Sequence, residues 1–413
     1  MENKEFNIAI IGAGLAGLAA AVRAEESGHR TIVLESSDRA GGRVKTDYVE
    51  GFLLDHGFQV LLSGYTKAAE MLNFEALKLG YFGSGAEITD EKGSFKVGDP
   101  LRDAAMALPM IFSRVGGISD KLKMYRLTQD LKNKTENEVF NTTGTTIEFL
   151  KNYGFSDKII HQFFKPFFGG IFLEHNLETP AAMFAFVFRT FSVGYAALPK
   201  NGMQDLSNQL KSKLRETSIR YNAQVVSLKQ NGEITLANGS TIYAKKVILA
   251  CDPSGLMPQL DQNLSYQKTT TIFFKGSDTL KRMKGLIGLD ARAESTINNY
   301  ARHDEVQPST APKGFSLWSV TARRYEEDET AVAKDLASLI GCSPRDFTHL
   351  KSYHIGKALP VIESPVFDLP PEQTQMTSNI YLAGDYLVNA SIDGALRSGY
   401  RAAEAVTETL DLV

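Results

Sequence analysis

The stretch NIAIIGAGLAGLAAAVRAEESGHRTIVLES, Asn7 to Ser36, constrains the fold of this chain more than any other. Ile8 to Ile11 is a short apolar, β-branched run of the kind that forms a buried parallel strand. Gly12-Ala13-Gly14-Leu15-Ala16-Gly17 follows, Leu18 to Ser27 reads as a helix, and a second strand, Thr31 to Leu34, closes on Glu35. The order is strand, glycine turn, helix, strand, terminal acid. Gly12 permits the tight turn, Gly14 lets a pyrophosphate approach the backbone, and Gly17 lets the helix lie close to the strand, with its N-terminus facing the phosphates. Glu35 stands at the spacing of an acid that accepts a hydrogen bond from a ribose hydroxyl. The expectation is an α/β fold with a doubly wound parallel sheet that binds a dinucleotide.

The residues beyond Glu35 narrow the dinucleotide. In ESSDRAGGRVKT, an acid is followed by Arg39, then Gly41, Gly42 and Arg43. A guanidinium suits forked contact with phosphate oxygens, and paired glycines permit close backbone approach. This pattern resembles the flavin-containing amine oxidase and phytoene desaturase superfamily. The resemblance implies a Rossmann-type domain that binds FAD, with Glu35 on the adenosine ribose, Arg43 by the pyrophosphate and Arg39 and Gly42 in the same motif. Further along, FLLDHGFQ resembles the element that approaches the flavin ring through its glycine, here Gly57. Two readings of His56 stand: a proton carrier, or a structural histidine hydrogen-bonded beside Asp55.

Two distant segments extend the resemblance. NIYLAGDYLVNASIDGALRSGYRAAEAV reads as a strand, Ile380 to Ala383, a Gly384-Asp385 turn and a helix from about Ser391. By resemblance, Gly384 and Asp385 contact the ribityl-pyrophosphate region, while Gly394 and Ala395 open a helix whose positive end faces the flavin ring. Between the ends, YNAQVVSLKQNGEITLANGSTIYAKKVILACDP alternates apolar residues around turn signals at Asn231-Gly232 and Asn238-Gly239 and closes on an apolar strand, Val247 to Ala250. The resemblance places Val225 in the adenine pocket. It implies a discontinuous FAD domain of residues 1–75, 195–258 and 372–413, and an interleaved α+β substrate domain of 76–194 and 259–371.

Composition limits the partners. The 413 residues carry a net charge of −3, so there is no general basic field for nucleic acid. Cys251 and Cys342 are the only cysteines, which removes a disulfide framework and a Cys-rich metal cluster and favours a reducing compartment. The polar opening MENKEF runs directly into the first strand, and no apolar run reaches the roughly 18 residues of a membrane span. The expected location is cytoplasmic, with peripheral membrane contact open. Leu101 to Ile118 reads as amphipathic with Arg102 and Arg114 at its flanks, suited to a membrane surface or to packing on the core.

The inserted region carries the substrate information. Nine of the 24 phenylalanines fall between Phe163 and Phe191. Phe184, Phe188 and Phe191 share one helical face, as a core helix or a substrate wall requires. Phe167-Phe168-Gly169-Gly170-Ile171 reads as an aromatic loop suited to lining a pocket. Amine-oxidising members place a tyrosine where this chain has Ser391, and SIDGALRSG is instead similar to the ending of plant-type carotene and squalene-type desaturases, as are Tyr386 and the segment LPKNGMQDLSNQL. The chain is shorter than typical carotene desaturases. Lys268 is a possible counterpart of the lysine some amine oxidases hold near flavin N5. FAD accepts a hydride from carbon without a catalytic base, so the protein chiefly orients substrate and excludes water. No catalytic residue is named from sequence and no metal is expected.

The expected enzyme is therefore an FAD-dependent oxidoreductase dehydrogenating a hydrophobic, isoprenoid-like substrate, with noncovalent FAD, since no cysteine lies in the C-terminal segment, and with O2 or a quinone as acceptor. The alternatives are an amine oxidase or protoporphyrinogen-oxidase-like oxidase using O2, and a redox-neutral isomerase working with reduced flavin.

Overall fold

The computed structural model describes residues 6–99, 102–257 and 264–411. Phe6–Ile11 is the centre of the first sheet, with Thr31–Leu34 on one side and Thr241–Leu249 on the other, both parallel to it. Ser218–Arg220 and Ile380–Leu382 extend the parallel run outward. Ile8, Ile10, Val33 and Ile248 are wholly buried, as strands covered on both faces require.

Helix Leu15–Glu26 starts three residues before the expected Leu18, because Gly14, in an extended conformation, already serves as its N-cap. Its alanine-rich surface accepts the C-terminal helix Ile392–Asp411 at close range. A Cβ added at Gly399 would stand 1.9 Å from the Ala16 carbonyl oxygen. Helix Gln204–Lys213 completes the cover on this face. The opposite face is covered by strands: Val225–Leu228 and Glu233–Leu236 fold back antiparallel from Thr241–Leu249, and Ile234 and Leu236 pack against Ile11, Leu34 and Val247. Both Asn-Gly turns form as expected, with Gly232 and Gly239 at φ 84° and 83°. The α/β, Rossmann-type expectation holds.

The second sheet runs Thr348–Pro360, Tyr266–Ser277, Phe315–Ala322, Ile297–Arg302, Ile287–Asp290, Gly85–Asp90, Gly93–Gly98. Its strands are antiparallel except where Ile287–Asp290 meets Gly85–Asp90. The two sheets draw on alternating stretches of chain, and we propose for them the same interleaved division into a nucleotide unit and a substrate unit.

Two local readings are corrected. Phe167 to Ile171 is not a loop: Lys165–Phe172 is a helix. Its paired glycines serve contact rather than a turn. A Cβ at Gly170 would lie 2.6 Å from the Asn298 Nδ2 and 2.7 Å from the Asn299 Oδ1, so a side chain there would push both amides aside where the helix seats on strand Ile297–Arg302. Nor is residues 101 to 118 one amphipathic helix. Leu101 lies outside the described residues. A 3-10 turn, Ala104–Met106, leads into helix Ala107–Phe112, Ser113 turns extended, Gly116 adopts φ 55°, and a separate helix, Ile118–Lys132, begins. Arg102 donates to the carbonyls of Ser192 and Gly194, and Arg114 pairs with Asp90, so neither is a free membrane-facing flank. Among the described residues no helix is long and apolar enough to cross a membrane.

Candidate functional site

One cavity of about 1570 Å³ joins the glycine turn of the first sheet to the phenylalanine-rich helices. Gly12 and Gly14 border it where strand Phe6–Ile11 hands over to its helix. Gly12 sits at φ 104°, and a Cβ there would stand 2.8 Å from the Ala250 carbonyl oxygen. Gly14 differs: its φ is −73°, and the nearest atom to an added Cβ is 3.9 Å away, the Cα of Gly42. A side chain at Gly14 would enter the cavity itself. The helix behind it has no side-chain cap, so its first N–H groups remain available to an anion.

Glu35 is buried at the end of strand Thr31–Leu34 and lines the cavity. Its Oε2 accepts the Ala13 N–H at 2.7 Å, and its Oε1 accepts the N–H and hydroxyl of Ser37 at 2.9 and 2.7 Å. These bonds fix the carboxylate across the glycine turn while leaving it acceptor capacity. The Ala223 N–H donates to the Glu35 carbonyl, which brings Gln224 and Val225 into the wall beside it.

From the far end of the chain come Gly384, Asp385 and Ala395, all in the same wall. The Arg43 Nη2 meets the Asp385 Oδ1 at 2.5 Å, and its Nη1 donates to the Ala358 carbonyl. Burial works against the charge on Arg43, and Asp385 more than offsets it, so its pKa lies above the ordinary value. Ser391 caps the C-terminal helix by accepting the Gly394 N–H at 2.9 Å, and Ser391, Ile392 and Ala395 turn that helix's N-terminus toward the cavity. The buried Tyr386 hydroxyl has no hydrogen-bond partner among the described residues and borders the cavity near Tyr266 and Asp252. Open space before Gly14, an uncapped helix start and this orphaned hydroxyl together fit an extended phosphate-bearing cofactor.

Of the residues expected at the cofactor, Gly12, Gly14, Glu35, Gly42, Arg43, Gly57, Val225, Gly384, Asp385 and Ala395 converge on this one wall. Gly17, Arg39 and Gly394 do not. Gly17 lies behind the wall, where a Cβ would fall 1.9 Å from the Gly12 carbonyl oxygen, so its role is the close helix packing anticipated for it. Gly394 abuts Asn389. Arg39 is bound to Asp47 at 2.5 Å.

Asp47 also accepts from His56, Lys351 and Tyr353. Burial opposes its ionisation, and bonds from Lys351, Arg39, His56 and Tyr353 outweigh that and hold the carboxyl well below the usual carboxylate range. His56 is thus a hydrogen-bonded member of a charged cluster and also borders the cavity beside Gly57. Lys268 is exposed, stacks over Tyr325 and stands off the wall. Cys251 borders the cavity near Gly12, and burial pushes its thiol up to about 12, so it stays protonated at neutral pH.

The remaining wall is largely apolar, though Asp99, Arg102, Lys121, Tyr125 and Thr128 also border it. Phe163, Phe167, Phe168, Phe188 and Phe191 face the cavity from Lys165–Phe172, Ala181–Val193 and the turn before them. Phe184 is wholly buried and packs on Phe168 at 4.7 Å between ring centroids, so the helix carries both core and wall. Three polar residues were missed from sequence: Thr271, Thr321 and Asn299, on neighbouring strands of the second sheet, also line the cavity. The asparagine pair in INNYAR was the available signal, since asparagine is depleted in strands.

A family model described as flavin containing amine oxidoreductase matches residues 15–407. Polyamine oxidase 2 of Arabidopsis thaliana is 42% identical over 57 residues, 14% of this chain and 12% of that protein. The L-amino-acid oxidase of Bungarus fasciatus is 47% identical over 53 residues, 12% of this chain and 10% of that protein. The matched stretches therefore span a small part of these relatives. Among solved structures, putrescine oxidase bound to putrescine superposes with a TM-score of 0.71 at 16% identity, covering 98% of this chain and 99% of that one. A putative protoporphyrinogen oxidase from Exiguobacterium sp. gives 0.67 at 18% identity, with 99% of each chain covered. At these identities the likeness establishes the fold.

Proposed function

Because this chain belongs to the flavin-containing amine oxidoreductase family, we propose that it is an oxidoreductase that holds FAD noncovalently and dehydrogenates a large apolar substrate. Membership carries the flavin and the redox chemistry; the substrate is our reading of the cavity. The observation that supports it is the continuity of the glycine- and Arg43-lined wall with a chamber of five phenylalanines. A substrate in that chamber abuts whatever occupies the cradle.

Bound FAD supplies a two-electron acceptor for a hydride. Gly14, Gly42 and the uncapped helix start would receive the pyrophosphate and Glu35 the adenosine ribose, with Val225 on the adenine side, while Asp385 holds Arg43 in place. The start of helix Ile392–Asp411 and Gly57 would stand on the flavin side of the cavity. Phe167, Phe188 and Phe191 exclude water and orient the substrate carbon, which lowers the cost of bringing the reactants together. The substrate gives up a hydride and a proton, and the electron pair ends on O2 as hydrogen peroxide or on a quinone as quinol. Cys251, held as a thiol, is no nucleophile, in keeping with noncovalent attachment.

Oxidation of an amine is the second reading, favoured by the named oxidases among the relatives. Desaturation of an isoprenoid remains the more specific form of the first, and reduced-flavin isomerisation a third. Anaerobic titration of the flavin-loaded protein decides among them. Bleaching of the visible flavin band by polyenes in detergent supports the apolar reading, and bleaching by small amines alone overturns it. Conversion by pre-reduced protein with no return of the visible flavin band and with unchanged product mass identifies the isomerase.

A further inference from the structure

Resting on the apolar-substrate reading, we infer that the cavity selects a neutral molecule carrying one uncharged oxygen acceptor, a ketone, aldehyde or alcohol, and recognises it through Thr271, Thr321 and Asn299. These residues form one row across three strands. Thr271 is the register partner of Thr321, and Thr321 is the partner of Asn299, so all three side chains leave the same face of the sheet. At the usual strand spacing the row spans about 10 Å. It starts beside the Gly57 segment, where the Thr271 Oγ1 accepts the Phe58 N–H at 3.2 Å, and ends under Gly170 of the phenylalanine helix.

The row is buried yet incompletely bonded. Thr321 is 5% exposed, lines the cavity, and its hydroxyl has no partner among the described residues. Asn299, 3% exposed, lines the cavity and accepts from the Asn298 Nδ2 on its Oδ1, so its own amide N–H groups are not used in that bond. The Thr271 oxygen is occupied as an acceptor, which leaves its proton to donate. Buried polar groups without partners are costly, and a ligand that completes them is favoured over one that does not. The row is made of neutral groups: the Thr271 hydroxyl keeps its proton to donate, and the Thr321 hydroxyl can donate or accept. A carbonyl or hydroxyl oxygen would be satisfied there, whereas an ammonium would find a hydroxyl acceptor but no carboxylate in the row to balance its charge.

Flavin-loaded protein and its variants are titrated anaerobically with 2-tetradecanone, tetradecane and tetradecylamine in one detergent, and dissociation constants are read from the perturbation of the flavin spectrum. Comparing the ketone-to-alkane affinity ratio between variants cancels partition into the detergent. The expected result is a fall of about tenfold in that ratio for Thr321→Val, with Thr321→Ser retaining it. Asn299→Leu gives the same fall by an independent route should Thr321→Val not load flavin. A ratio that is the same in wild type and both variants overturns the row and leaves the apolar cavity standing. Tetradecylamine binding more tightly than both neutral probes overturns the apolar reading and the row together.

Discussion

Arg43 and Asp385, 342 positions apart in sequence, meet with Nη2 and Oδ1 at 2.5 Å in the wall of the cavity. The pair ties the second glycine motif to the turn that follows strand Ile380–Leu382, and both segments line the cavity we propose for the cofactor.

The pair predicts a split between folding and flavin affinity. The Arg43 side chain is 40% exposed but that of Asp385 only 8%, so removing the guanidinium leaves a buried carboxylate unpaired and costs up to about 3 kcal/mol in folding, a small shift in melting temperature for a chain of this size. Arg43→Ala should therefore melt within a few degrees of wild type, while flavin affinity falls about tenfold or more for want of a charge-assisted contact. Flavin content after dialysis, measured with the melting temperature, checks both, and stoichiometric flavin in Arg43→Ala would refute the assignment.

The two glycines of the first turn should fail differently. Gly14→Val projects into open space, so the protein should fold normally and purify colourless. Gly12→Ala forces a Cβ at φ 104° to within 2.8 Å of a backbone oxygen and should cost about 2 kcal/mol or more in folding, whatever the flavin does. Chemical denaturation of the apoproteins separates the cases.

Two phenylalanines one helical turn apart separate core from wall. Phe184→Ala should cost about 3–5 kcal/mol, because it empties a wholly buried site. Phe188→Ala borders existing space and should cost about half as much, yet shift the preferred probe toward longer chains. Equal destabilisation with unchanged chain-length preference would place Phe188 in the core.

Two buried titratable groups should tilt stability in opposite directions with pH. Burial holds His303, bonded to Ser319, at about 4 against an ordinary 6.5, so its contribution is complete above pH 6.5 and lost as pH falls toward 4, up to about 3 kcal/mol. Burial raises Asp55 to about 6 against 3.8, bonds from Thr46 and Met203 notwithstanding, so its contribution is complete below pH 3.8 and lost as pH rises through 6, by about 3 kcal/mol. Relative to wild type, His303→Gln should gain stability on acidification and Asp55→Asn on moving from pH 4 to 7. Parallel denaturation curves at pH 4, 5.5 and 7 test both signs.

Read alone, the sequence determined the central strands of the first sheet, though not the edge strand Ser218–Arg220, together with the turn at Gly12 to Gly17, both Asn-Gly hairpins and the C-terminal strand and helix. Each rests on local physics: β-branched runs, positive-φ glycines and helix starts act over a few residues and need no partner. It also brought together most of the wall proposed for the dinucleotide, since Glu35, Arg43 and Asp385 stand in motifs that carry the family resemblance. Tertiary structure alone decided the rest. Lys165–Phe172 is a helix despite two glycines, and Gly170 seats it against Asn298 and Asn299, whose amides occupy the space a side chain would need. Arg39, plausible as a phosphate ligand in its motif, is claimed by Asp47 from a neighbouring strand. Thr271, Thr321 and Asn299 become one polar row only through strand register, a relation between residues up to 50 positions apart. Propensity and spacing act along the chain, whereas burial, register and the choice of a charge's partner arise only when distant segments share a volume.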